Sequence, residues 1–120
     1  MISGGPLLGV VGPCAAGKST LVEQLRSRGY RVKHIAQEHS YVKDMWFQIA
    51  RPDILIYLDV SYEISCERTR STWSRKIFNY QIERLAHARQ NADFYIQTDG
   101  KSPSEVLYLV MESLESLQAK

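Results

Sequence analysis

The 120-residue chain is 44% hydrophobic and 23% charged, proportions that suit one globular domain and leave no room for two. Its 15 basic and 13 acidic side chains leave a net charge of +2, too weak to argue for a nucleic-acid partner, and no apolar run approaches the ~20 residues of a membrane-spanning helix. Two cysteines without metal-ligand spacing, and no basic segment ahead of an apolar stretch in Met1-Ile2-Ser3-Gly4-Gly5, predict a cytoplasmic protein with no signal peptide and no membrane partner.

Leu7-Leu8-Gly9-Val10-Val11 is a short apolar run closed by Gly12-Pro13, the pattern of a buried strand. Over residues 17–28 Leu21, Val22 and Leu25 recur at helical spacing, and Gly29 supplies a stop. Residues 31–36 alternate Val32, His34 and Ala36 against Arg31, Lys33 and Ile35, which predicts a second strand. Val42, Met45, Trp46 and Ile49 form a helical stripe within residues 41–50, ending before Arg51-Pro52.

Ile54-Leu55-Ile56-Tyr57-Leu58 is continuously apolar, as expected of a parallel strand covered on both faces. Ser61 is placed to cap a helix running to about residue 70, with Ile64 facing inward. A longer helix is predicted over residues 74–92, with Ile77, Phe78, Ile82, Leu85 and Ala86 on one side. Phe94-Tyr95-Ile96-Gln97 reads as a fourth strand. Ser102-Pro103-Ser104-Glu105 is a capping box opening a last helix through Val106, Leu109, Val110, Leu114 and Leu117. Strands alternating with helices predict an α/β domain of three layers, with a small, mainly parallel sheet of about four strands between helices.

The chemistry is concentrated in Gly12-Pro13-Cys14-Ala15-Ala16-Gly17-Lys18-Ser19-Thr20, a full match to G-x-x-x-x-G-K-[ST] between a predicted strand and a predicted helix. Glycines let the loop wrap so that backbone N–H groups converge on an anion. The small Ala15 and Ala16 would leave the phosphates uncrowded, and the helix start aims its positive dipole end at the same point. Lys18 is expected to reach the β- and γ-phosphates, and the Ser19 hydroxyl to ligate Mg²⁺. Cys14 inside the loop is read as a small residue that fits, with oxidation as the sharper alternative.

With this motif the chain resembles the P-loop NTPase superfamily, in particular its small nucleotide and metabolite kinases. Two further segments share the likeness: residues 54–63, with Leu58-Asp59-Val60 leading to a helix and then Arg68 and Arg70, and residues 95–106, Tyr95-Ile96-Gln97-Thr98-Asp99-Gly100 ahead of the final capping box. The resemblance implies a P-loop fold binding ATP or ADP with Mg²⁺, a loop around Gly100 lying against the adenine, and a lid arginine over the γ-phosphate. It also implies an acceptor-binding insertion between the second and third strands. Here only 17 residues separate Ala36 from Ile54, so that insertion is reduced to residues 41–50 at most.

Two carboxylates compete for the metal. Asp59 ends an apolar strand like a Walker B residue, but the resemblance places that strand beyond the P-loop strand, where the aspartate is structural. Glu38, just past residues 31–36, would project near Lys18 and Ser19 if its strand lies beside the P-loop strand. It is the favoured residue for holding a Mg²⁺-bound water or accepting a substrate proton. Arg68, Arg70 and Arg75 are the candidates for charge on the transferred phosphoryl group. Trp73 is expected to cover the core edge rather than a base. His34 and His39 are expected to be solvated or packed.

The expected function is therefore phosphoryl transfer from Mg-ATP to a small molecule or nucleotide. The alternative is a nucleotide-binding module, or slow hydrolase, that regulates a partner. Guanine-reading motifs are absent from the sequence, which favours adenine. A second copy of the chain would be one means of completing the reduced acceptor site.

Overall fold

The computed structural model describes residues 5–118; the expectation about a leader, which turns on residues 1–4, lies outside them. Four strands form one sheet: β1 (Leu7–Val11), β2 (Arg31–His34), β3 (Ile54–Asp59) and β4 (Phe94–Gln97). Their order is β2-β1-β3-β4 and every pairing is parallel, as the alternation of strands and helices implied. The registers set Val10 opposite both His34 and Ile56, so β1 is central and the loop that follows it leaves from the middle of the sheet.

Four α-helices provide the connections and the last element: α1 (Lys18–Ser27), α2 (Tyr62–Thr69), α3 (Arg75–Asn91) and α4 (Pro103–Gln118). Three of the predicted starts hold atom by atom. Ser61 accepts from the Ile64 N–H, Ser74 accepts from the Ile77 N–H, and Ser102 and Glu105 exchange two bonds of 2.8 and 3.1 Å. Each cap satisfies N–H groups that the first helical turn leaves without partners.

Side chains alternate across the strands and sort the core into two clusters. Leu8, Val10, Ile54, Ile56 and Leu58 pack with Leu21, Val22 and Leu25 of α1 and Val106, Val110 and Leu114 of α4. Val11, Leu55 and Tyr57 point the other way, toward Leu85 and Ala88 of α3, with Ile35 and Trp46. Each fully buried leucine stabilises the fold by about 1.5–3 kcal/mol.

Three predicted segments differ in detail. The second strand stops at His34, and residues 37–39 turn into a 3-10 helix. Only Trp46–Ala50 of residues 41–50 is helical, and it is a π-helical turn. Of its expected stripe Trp46 is buried, whereas Val42 and Ile49 are exposed; a single short turn ended by Arg51 at φ 45° cannot bury a whole face. On α3 the buried line is Phe78, Gln81, Leu85 and Ala88, whereas Ile77 and Ala86 face solvent. The line is displaced because Gln81 is drawn inward by polar contacts that hydrophobicity does not register.

Candidate functional site

The loop of residues 12–20 leaves the C-terminal end of β1 and runs into α1. Its geometry explains the residue types. A Cβ on Gly12 would sit 2.1 Å from the Leu58 carbonyl oxygen, so the loop passes β3 at a distance only glycine allows. Gly17 caps α1 at φ 97° with no side-chain hydrogen bond. The Leu21 N–H is bonded back to the Gly17 carbonyl, leaving the preceding amides of the first turn to point outward from the helix start. Ala15 adopts φ 69°, a left-handed conformation that costs an L-residue about 1–2 kcal/mol. Ala16 is 2% exposed and belongs to the core, so of the two alanines only Ala15 lies at the loop surface.

Lys18 is buried, and its ammonium donates to the carbonyls of Gly12 (2.7 Å) and Pro13 (3.0 Å) and is ion-paired with Glu38 Oε2 at 3.0 Å. Glu38 comes from the 3-10 turn after β2, and β2 lies beside β1. Strand order alone brings a residue 20 positions distant onto the loop lysine. The Glu38 side chain is 4% exposed. Its Oε1 is the one buried side-chain oxygen or nitrogen without a hydrogen-bond partner among the described residues. Such an atom is costly unless it serves a ligand.

Asp59 is placed differently. It ends β3 on the other side of β1, accepts from the Val60 N–H at 2.9 Å and takes the Tyr95 hydroxyl on Oδ2. Desolvation and this bond to Asp59 push the Tyr95 phenol up to about 12, so it remains a donor at neutral pH. Both Asp59 oxygens are thus engaged in joining β3 to β4 and capping its own strand end.

The three arginines separate. Arg68 donates to the Ala15 carbonyl (2.9 Å), the Thr98 hydroxyl (2.9 Å) and the Thr98 carbonyl (2.7 Å), tying the loop to the segment after β4. Arg75 bonds Glu63 at 2.7 Å and lies 4.3 Å from the Tyr62 ring centroid. Arg70 is the left-handed C-cap of α2 at φ 56° and is exposed. Of the three, only Arg68, in the last turn of α2, is bonded to the loop, whereas Arg70 is the cap beyond that helix and Arg75 opens α3.

Beside Arg68 is a cavity of about 310 Å³, lined by Gly17, Thr20, Gln24, Thr98 and Lys101 among others. Gly100, at φ 73°, shapes its rim through the turn in which the Lys101 N–H donates to the Thr98 carbonyl. Ser19 and Thr20 are both exposed at the start of α1. Asp99 flanks this rim. Burial would raise its carboxyl, but hydrogen bonds from the Ser61 N–H and hydroxyl and from Gln97, with the Arg68 charge, hold it below the usual carboxylate range.

Trp73 covers the core edge, donating its indole N–H to Ser65 and packing on Tyr62 and Phe78. His34 is held below the ordinary histidine value by desolvation and then by the Lys18 charge. His39 stands against the site: its Nε2 is 3.7 Å from Glu38 Oε2 and 3.9 Å from the Cys14 sulfur. Sequence spacing did not reveal this grouping, since Cys14 lies far from Glu38-His39 along the chain.

Two buried glutamines were also missed. Gln81 on α3 accepts from the Cys14 N–H at 3.0 Å and donates to its sulfur at 3.2 Å. Gln37 accepts from the Trp46 N–H and donates to the carbonyls of Val42 and Arg84. The available signal was a glutamine three residues from Phe78 and four from Leu85 on one helix face. Compared with protein-family models and with curated proteins, the chain matches none, so its function rests on its own residues.

Proposed function

We propose that this chain is a three-layer P-loop domain that binds ATP or ADP with Mg²⁺ and acts as a minimal kinase-like phosphotransferase toward a small molecule or nucleotide. The observation that carries the reading is the Lys18–Glu38 pair at 3.0 Å, which sets the loop lysine and a carboxylate from the turn after the neighbouring strand at one point. A complete phosphate-loop motif on a strand-to-helix turn supports it.

The residues fit the groups they would hold. Outward-pointing amides at the start of α1 and the Lys18 ammonium suit a polyphosphate. The exposed Ser19 hydroxyl and the unpartnered Glu38 Oε1 are hard oxygen donors suited to Mg²⁺ and its waters. When bound, the metal would neutralise charge on the phosphates. The cavity beside Arg68 is the place for the nucleoside, with the turn around Gly100 at its edge.

On this reading Lys18 leaves the carbonyls of Gly12 and Pro13 for the phosphate oxygens. Glu38 holds the metal's water or takes the acceptor's proton. Arg68, already anchored on Ala15 and Thr98, supplies positive charge to the phosphoryl group. Arg70 and Arg75 have no part in this site, and Asp59 is a structural residue.

The test is ADP production from Mg-ATP with a panel of nucleosides, nucleotides and small hydroxylated metabolites. Acceptor-dependent turnover abolished in Lys18→Ala and strongly reduced in Glu38→Gln is expected. Tight nucleotide binding with no acceptor effect and no loss in Glu38→Gln would leave only a binding module. A nucleotide bound away from residues 12–20 would overturn both.

A further inference from the structure

Cys14, Glu38 and His39 bring three different metal-ligating side chains to one face of the loop. Their ligand atoms all lie within 4.8 Å of one another. Zinc takes sulfur at about 2.3 Å and imidazole nitrogen at about 2.0–2.1 Å, so a tetrahedral centre holds them about 3.6 Å apart. Cys14 Sγ and His39 Nε2 are 3.9 Å apart, a few tenths of an ångström from that spacing. The His39 side chain is 61% exposed and free to make the adjustment.

One feature points directly to a ligand. Glu38 is 4% exposed and carries an oxygen with no partner, although a buried carboxylate oxygen normally has one. Cys14 is also oriented from behind, because Gln81 grips both its N–H and its sulfur. Outer contacts of this kind fix a ligand's direction in metal sites.

We propose that Cys14, Glu38 and His39 form a three-ligand site for a borderline-soft divalent cation, best fitted by Zn²⁺, with water in the fourth position. Thiolate and imidazole select such a cation over Mg²⁺ or Ca²⁺, which prefer oxygen. Binding releases the Cys14 thiol proton to solvent, and the cation takes the sulfur lone pair without any change of oxidation state. The site shares Glu38 with the pair that holds Lys18. If the nucleotide reading holds, zinc therefore withdraws that carboxylate from Mg²⁺ and acts as an inhibitor; the binding itself does not depend on that reading.

The experiment titrates Co²⁺, as a spectroscopic stand-in for Zn²⁺, into the reduced 120-residue protein without nucleotide. One equivalent should produce visible bands of tetrahedral cobalt and a thiolate-to-cobalt charge-transfer band, both displaced by Zn²⁺. Cys14→Ser, which keeps a group that Gln81 can bond, should lose the charge-transfer band. His39→Ala, at an exposed position, should weaken Zn²⁺ binding at least about tenfold in competition with a chromophoric chelator. Cys66→Ser should behave as the native protein. No thiolate band in the native protein would overturn the proposal, as would a band that survives Cys14→Ser and vanishes in Cys66→Ser. Failure of ATP binding would leave these results unaffected, so the two proposals fail separately.

Discussion

Replacing Lys18 by methionine isolates the energetic core of the site. The structure identifies what is lost: the Gly12 carbonyl and Glu38 Oε2 lose the ammonium, whereas the Pro13 carbonyl keeps the Ala16 N–H at 3.2 Å. A carboxylate that is 4% exposed is then left without a counter-charge, and breaking a buried pair from one side costs about 3–5 kcal/mol. At about 2.1 cal/mol/K per residue the unfolding entropy of this chain is about 250 cal/mol/K, so the melting temperature should fall by about 12–20 °C. Glu38→Gln should cost less, because Lys18 keeps its hydrogen bonds to the carbonyls of Gly12 and Pro13. The double variant carries no buried charge and should be more stable than the sum of the singles predicts by about 2 kcal/mol. Urea unfolding followed by tryptophan fluorescence and circular dichroism measures all four proteins. Single costs that add to the double within about 0.5 kcal/mol, or a Lys18→Met protein as stable as the native one, would show that the pair does not exist in solution.

The clamp on the loop should separate the arginines by thermal denaturation. Arg68→Met loses three hydrogen bonds to Ala15 and Thr98 and should lower stability by about 1–2 kcal/mol, whereas the exposed Arg70→Met should stay within about 0.5 kcal/mol of the native protein; equal effects would contradict the clamp. Ala15→Gly relieves a left-handed backbone at φ 69° and should stabilise by about 0.5–1 kcal/mol. A loss of stability in that variant would mean the loop rests in another conformation. His34 has a folded-state value below the ordinary 6.5, so below that pH the unfolded chain binds more protons. Stability should therefore fall on acidification through the histidine range and level off below the depressed value. His34→Gln should flatten that part of the unfolding-versus-pH curve, and an unchanged slope would refute the assignment.

Local chemistry made most of the secondary structure and the phosphate-loop motif legible in the chain itself. Ser61, Ser74 and the Ser102–Glu105 box mark helix starts because a hydroxyl bonds N–H groups only two or three residues away. The strand at residues 54–58 was legible because continuous apolar character has few other uses in a short segment. The helical stripe of residues 41–50 marks a helical segment, but only the turn Trp46–Ala50 forms there, and Gln37 holds the Trp46 N–H across nine residues, a contact that local spacing does not record.

What the sequence by itself determined is the set of strands and helices, and a loop whose residues suit a phosphate. Those depend on interactions spanning a few residues, and spacing records them. Tertiary structure decided which distant groups reach that loop. The parallel placement of β2 beside β1 delivers Glu38 to Lys18 and His39 to Cys14, while β3 on the other side commits Asp59 to Tyr95. The inward face of α3 brings Gln81 to Cys14, and α2 brings one arginine of three to Ala15. Strand order and helix rotation are properties of the packed core, where a single-residue change of phase turns a side chain from the site to solvent.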